Sequence, residues 1–334
     1  MTESNEPNDA GQEQPEGTGA EHPDSAGAEQ PDSAGAEHPE LVRTQEFPTD
    51  GPVELDLSMT TGRIDVLLTD TTSDTTAVEL RHDTASGSPW TQGIASTLSW
   101  LSEQFRDQLG PELAGSASDA IEQTRIDMLG GRLVVRAPKQ LPLRHIPLAL
   151  TIRAPAGSQL EIKTGSARVA VTGTAGRATL HTSSGDIALE RATSAVTIRT
   201  GSGGVSLGPT ASGLHIRTGG GDVRAADTRG SATIVTGTGS VYVAATEGEL
   251  VVRSGSGDVT VANAGAGSVN VRTGSGAVRV GVRSGVHAEV DVTSGSGTVS
   301  SELDVADAPP EEDVPLHIRA STGSGNAVIA SAVA

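Results

Sequence analysis

The sequence predicts an all-β chain: a parallel β-solenoid of about 18-residue coils, with a short helical insertion and a disordered N-terminal tail. Three observations predict it. A Thr or Ser followed by a glycine-rich turn recurs at residues 164, 182, 200, 218, 236, 254, 273 and 294, with five intervals of 18 residues and then 19 and 21. Apolar and polar residues alternate on both sides of each turn. Aromatic residues make up only 1% of the chain, and the recurring apolar set is Val, Ile, Leu and Ala, which suits a narrow interior.

Within one repeat, Ile162, Leu180, Ile198, Ile216, Ile234, Val252, Val271 and Val292 lie two residues before the Thr/Ser anchor. Leu160, Ala178, Val196, Leu214, Ala232, Leu250, Val269 and Val290 lie four before it. Pairs such as Val205/Leu207, Val241/Val243 and Val259/Val261 lie five and seven after it. This period of two marks half-buried strands. The glycines between them are expected to make the turn by taking positive φ, which costs glycine nothing sterically. Two short strands cannot bury their own apolar face, but stacked copies can. Successive coils would then pair as parallel strands about 4.8 Å apart, and nine coils would make a rod of about 40 Å. A flexible Gly/Ser linker has no phased apolar pattern, and the hairpins of an antiparallel sandwich would not hold one period.

In chain order, residues 1–41 form an acidic low-complexity tail, in which Glu13-Gln14-Pro15, Glu21-His22-Pro23, Glu29-Gln30-Pro31 and Glu37-His38-Pro39 recur every eight residues. Such a segment has too little apolar surface to offset its ordering entropy. Residues 1–54 hold 14 acids and one base, a net of −13, whereas residues 156–300 hold 10 acids and 12 bases, a net of +2. The start of the chain lacks the basic and apolar runs of a signal peptide, no stretch is long and apolar enough for a membrane span, and a cytoplasmic location is the expectation. With no cysteine, there is no disulfide framework and no thiolate metal site.

The solenoid domain is assigned to residues 42–334. Residues 42–82 read as strands and as its first part, with Thr61-Gly62-Arg63-Ile64 a degenerate copy of the turn. Residues 89–122 interrupt the pattern: Trp90, Ile94, Leu98, Leu101, Phe105 and Leu109 fall at helical spacing, Pro111 ends that helix, and a weaker one follows over 112–122. This insertion is expected to cover an end or flank of the rod; the polar face is too poor in Lys and Arg for a membrane-surface helix. Trp100 lies off the stripe and is a candidate partner contact. Strands resume over 124–129 and 132–137 around a Gly130-Gly131 hairpin turn, then over 148–154. A ninth, looser repeat starts at Thr322, after an acidic loop at 302–315, and closes the rod.

The passage Leu150-Thr151-Ile152-Arg153-Ala154-Pro155-Ala156-Gly157-Ser158-Gln159-Leu160-Glu161-Ile162-Lys163-Thr164-Gly165-Ser166, with the Thr-Gly-Ser-Gly-Asp-Val turns after it, resembles the bacterial toastrack family of β-strand-repeat proteins of unknown function, also called "putative adhesin" proteins. The resemblance covers about residues 42–334 outside the helical insertion and implies a β-solenoid. It supplies no catalytic residues.

For function, a non-enzymatic scaffold or protein-interaction module is the expectation, since regular rods present extended binding faces. A polysaccharide-acting β-helix enzyme is the alternative. Asp186, Asp222 and Asp258 share one turn position on alternate coils, about 9.6 Å apart at two strand spacings, within the range of an inverting carboxylate pair; a periodic turn aspartate that bonds its own backbone is the simpler account. His181 with Asp186 and a serine is a chance-level triad. A calcium-binding β-roll is a third reading, although here Asp258 directly precedes Val259 instead of lying two residues ahead of the apolar position. No cofactor, no metal and no nucleic acid is expected. One column stands out. The residues just before the anchors are Lys163, His181, Arg199, Arg217, Val235, Arg253 and Arg272, all outward by the alternation. The simple account is that long stems shield the sheet while their charged heads meet acids on adjacent columns, such as Glu161 and Asp291. The sharper account is a docking stripe for an extended anion, either an acidic protein segment or the chain's own tail.

Overall fold

The computed structural model describes residues 41–70, 75–84, 116–303 and 314–332, all within one contact-defined unit, Glu40–Ala334. The chain first forms β1 (Arg43–Pro48), β2 (Glu54–Met59), β3 (Gly62–Thr69) and β4 (Thr75–His82). A short helix, α1 (Ala117–Gln123), precedes the hairpin β5 (Arg125–Leu129) and β6 (Arg132–Arg136). β7 (Leu148–Pro155) then leads into β8 (Gln159–Thr164), β9 (Arg168–Ala175), β10 (Ala178–Thr182), β11 (Ile187–Ala192), β12 (Val196–Thr200) and β13 (Val205–Leu207). β14 (Leu214–Thr218), β15 (Val223–Arg229), β16 (Ala232–Thr236), β17 (Val241–Ser254) and β18 (Val259–Thr273) continue the series. The chain closes with β19 (Val278–Val282), β20 (Ala288–Ser294), β21 (Val299–Ser301), β22 (Leu316–Thr322) and β23 (Ala327–Ser331).

The strands stack into two sheets over one continuous core. The sheet before the glycine turns runs β6-β2-β8-β10-β12-β14-β16-β17-β18-β22-β20, parallel throughout. The sheet after them runs β7-β3-β9-β11-β13-β15-β17-β18-β19-β23-β21, also parallel. β17 and β18 pass through the second corner unbroken and serve both sheets. The 18-residue offset is the pairing register: Leu160, Ala178, Val196, Leu214, Ala232 and Leu250 are successive Cα partners. The 19-residue interval is absorbed by a bulge, where Thr246 pairs Ala264 but Glu247 pairs Ala266. The alternating apolar residues fill the interior; Ile162, Leu180, Ile198, Ile216, Ile234, Val252 and Val271 are all fully buried.

Four expectations are corrected. First, the stacking order differs from the sequence order at both ends. The β2–β3 coil lies between β6/β7 and β8/β9, and the final β22–β23 coil lies between β18/β19 and β20/β21. Burial accounts for the second case. β22–β23 offers Leu316, Ile318, Ala320, Ala327 and Ile329, each at most 2% exposed. In β20–β21, which ends the stack, Val290 and Val299 remain 37% and 50% exposed. The more apolar coil takes the site with neighbours on both sides.

Second, residues 42–82 are not plain solenoid. β1 and β4 pair antiparallel with each other, and β4 pairs antiparallel with β7; together with the antiparallel β5–β6 hairpin they finish that end of the stack. Reversed strands break the coil path and leave no repeat motif free to continue it.

Third, the glycines of the Gly-Ser-Gly turns do not take positive φ; that conformation occurs at other glycines, including Gly173, Gly230, Gly248 and Gly267 around the second corner. The turn glycines are needed because the coils nearly touch: a Cβ at Gly203, Gly221, Gly239 or Gly257 would meet the carbonyl oxygen of the coil before at 1.9 or 2.0 Å. The anchor residue shapes the same turn. The hydroxyl oxygens of Thr182, Thr200, Thr218, Thr236 and Ser254 each accept the N–H of the glycine three residues on.

Fourth, the turn aspartates do not bond their own backbone. Asp186, Asp222 and Asp258 accept the N–H groups of Gly204, Ser240 and Ala277 on the next coil, at 2.8, 2.9 and 2.8 Å. Each carboxylate uses a coil whose matching residue is small and uncharged, which explains the alternate-coil spacing.

The stripe from Trp90 to Leu109, Trp100 and residues 1–40 lie outside the described residues. Of the insertion, α1 is described: Ser116 caps it by accepting the Asp119 N–H, Asp119 returns the bond to the Ser116 N–H, and Ala120 and Ile121 are buried.

Candidate functional site

The outward column forms the floor of a groove. Strand register carries it from Arg136 and Ser58 to Lys163, His181, Arg199, Arg217, Val235, Arg253, Arg272 and Ser321. Alternation puts it outside because Ile162, Leu180, Ile198 and Ile216, one residue earlier, point inward. A groove of about 1030 Å³ runs along this column from Ser58 to Val235. The glycine turns at Gly165, Ser183, Gly201, Gly219 and Gly237 make one bank, and Ala137 and Lys139 bound one end. Lys163, His181, Arg199 and Arg217 line it, as do Lys139 and His215. Arg253 and Arg272 extend the column beyond the groove, and Arg272 Nε donates to Ser321 Oγ at 3.3 Å.

Among the described residues, no acid lines the groove. The neighbouring outward column reads Asp56, Glu161, Thr179, Thr197, His215, Thr233, Val251, Asn270 and Arg319, so carboxylates flank only the ends. Glu161 pairs with Lys163 at 2.6 Å. Asp291 pairs with Arg319 at 3.0 Å rather than with the column. Buried Asp56 takes Arg132 and Arg136, each at 2.8 Å. Among the described residues, Arg199, Arg217 and Arg253 make no ion pair. Acids on adjacent columns therefore do not neutralise the middle of the column. Like charges about 4.8 Å apart repel by on the order of 1 kcal/mol per pair in water. The imidazole of His181 registers this field: its pKa is held below the ordinary histidine value by burial, then by Arg199 and Lys163, against the opposing pull of Glu161.

The sequence reading missed Lys139 and His215. His215 was available to it, being two residues before Arg217 on the same outward face. Lys139 was not, because its loop lies outside the repeat and only the fold brings it to the groove. Among the described residues, no group of three His, Asp or Glu side chains is placed to hold a metal ion, and no helix is long and apolar enough to cross a membrane.

No curated protein matches the chain. Three crystal structures it resembles are named "putative adhesin" proteins. One from Bacteroides fragilis has 11% identity and a TM-score of 0.38, covering 87% of this chain and 97% of that one. One from Parabacteroides distasonis has 8% identity and a TM-score of 0.37, covering 87% and 98%. One from Parabacteroides merdae has 11% identity and a TM-score of 0.32, covering 86% and 95%. The family model described as Toastrack DUF4097 matches residues 148–329, more than half of the chain, from β7 into β23. With its two parallel sheets and 18-residue register, the chain belongs to the Toastrack DUF4097 family.

Proposed function

We propose that this protein is a non-enzymatic scaffold that presents one flank of its solenoid to a protein partner. One observation carries the reading: the repeated polar groups that could do chemistry are already spent on structure, while the middle of the long outward column is left unneutralised. The anchor hydroxyls hold the turns. The aspartates of the enzymatic alternative hold the next coil's backbone, and a carboxylate committed to a backbone N–H is poorly placed to move protons for a substrate. Rigid rods with regular faces suit extended recognition.

The test is site-specific photo-crosslinking in the host. A photoreactive residue at Thr197, beside the column, and one at Tyr242, on the other sheet, are compared. Discrete protein adducts from the Thr197 position and few from Tyr242 are expected. Cleavage of acidic or neutral polysaccharides by the purified protein, abolished by Asp222→Asn, would overturn the reading in favour of an enzyme.

A further inference from the structure

Among the described residues the groove is lined by four Lys and Arg side chains, by no acid and by no Trp, Tyr or Phe, which narrows what it can hold. We infer that it binds an extended, carboxylate-rich polypeptide segment, a conclusion that rests on the scaffold reading above and specifies its partner.

The groove crosses six strands, from β2 to β16, so it is about 24 Å long at about 4.8 Å per strand. An extended peptide of about seven residues has that length. The charges are Lys139, Lys163, Arg199 and Arg217, with His181 and His215 between them; Glu161 on the adjacent column pairs with Lys163 at 2.6 Å, while among the described residues Lys139, Arg199 and Arg217 make no ion pair. Guanidinium groups fit carboxylates as planar two-point donors. Thr179, Thr197 and Thr233 lie on the adjacent outward column and add short hydroxyls that can donate to the same ligand.

The described lining favours a polypeptide over the other extended anions. Single-stranded nucleic acid is held by aromatic stacking as well as by charge, and sugar rings likewise pack on aromatic faces; among the described residues the lining supplies neither Trp, Tyr nor Phe for this. On the bank made by the turns, the Cβ positions of Gly165, Gly201, Gly219 and Gly237 are blocked by neighbouring backbone, so these positions cannot carry a stacking side chain. What remains is recognition by charge, hydroxyls and backbone, which an acidic polypeptide satisfies. Occupancy would also offset the repulsion between the neighbouring Arg199 and Arg217.

The test uses the full chain and a fluorescent oligoglutamate long enough to span the groove, followed by anisotropy at low and moderate salt. Saturable binding that weakens with salt is expected. Arg199→Thr with Arg217→Thr should weaken it by roughly tenfold or more, through loss of two charge contacts. Arg224→Thr with Arg279→Thr, on the other sheet, should leave it unchanged. Threonine is the natural replacement, since outward strand positions beside these arginines already hold it. Circular dichroism confirms the fold, and Arg199→Lys with Arg217→Lys should bind between the wild type and the threonine pair, keeping the charge but losing the two-point geometry. Absence of saturable binding at low salt overturns the inference, as does equal loss in the two threonine variants. Tighter binding of oligogalacturonate or oligothymidylate of matched charge would also overturn it, because the ligand would then be a glycan or a nucleic acid. If oligoglutamate fails while the Thr197 crosslinker still captures a protein, only the inference about ligand chemistry falls. If both fail, the scaffold reading falls with it.

Discussion

Changing Gly239 to alanine separates two physical reasons for a turn glycine, conformational freedom and close approach. The Gly239 backbone is not in the left-handed region, so if conformation were the reason, alanine should have little effect. If packing is the reason, the effect should be large, because a Cβ there lies 2.0 Å from the Gly221 carbonyl oxygen and 2.5 Å from its carbon. Ordinary contact begins at 3.4 Å, so the neighbouring coil must retreat by 3.4 − 2.0, or 1.4 Å. Three backbone bonds join these coils around the turn: Gly237 N–H to Thr218 and Thr238 N–H to Gly219, both 3.2 Å, and Val223 N–H to Ser240 at 2.9 Å. A displacement of that size takes all three beyond about 3.5 Å, where a hydrogen bond is lost. At about 1 kcal/mol each, Gly239→Ala should cost about 3 kcal/mol, in the upper range for overpacking. The matched control is Gly213→Ala. A Cβ at Gly213 would have its nearest neighbour, the Ser231 carbonyl oxygen, at 4.0 Å, and its φ is also ordinary. There alanine should be neutral or stabilise by up to about 1 kcal/mol, by restricting the unfolded chain. Urea unfolding followed by circular dichroism measures both. A Gly239→Ala protein as stable as the wild type, or a Gly213→Ala protein equally damaged, would refute the close-approach account.

Val259 is fully buried while Thr260 is half-buried on the outer face, so Val259→Asp should cost several kcal/mol by burying an unpaired charge and Thr260→Asp should be mild; equal losses in a denaturation series would contradict the alternation. His181 should titrate below free histidine by NMR, and Arg199→Thr should raise its pKa, since Arg199 is one of the groups that depress it. Because the folded protein resists this protonation, His181 subtracts nothing above the unfolded histidine pKa of about 6.5 and destabilises the fold progressively as pH falls below it; a pKa at or above the free value would reject the field drawn for the groove. Ending the chain at Leu303 should destabilise it more than removal of one end coil, because β20 and β21 would lose β22 and β23, the partners that seat them; a truncated protein with wild-type hydrogen exchange in β20 would reject the interposed order.

The repeat coils were legible in the sequence because their determinants are local and redundant. Alternation at Leu160/Ile162 or Leu250/Val252 decides which face is buried, and an unbroken 18-residue spacing decides the register. The basic column follows from the same alternation, since Arg199 must point out if Ile198 points in. The reason for the glycines was not legible. A positive-φ turn and a close backbone approach both demand glycine, and the choice between them needs the distance to the coil before.

The coil is therefore local in origin: its length, its two strands, its inward set and its outward charges are written in each repeat. The neighbour of each coil is set by packing in three dimensions. Nearly every repeat carries the same anchor and turn, so nothing local says that Thr322 stacks against Thr273 and Ser294. That choice depends on which coil buries more apolar surface between two neighbours, with a 302–315 connection long enough to allow it. The same holds for the groove, whose column is written in the repeat but whose missing acids and bounding Lys139 appear only once the coils are stacked, because charge compensation is a property of neighbours in space.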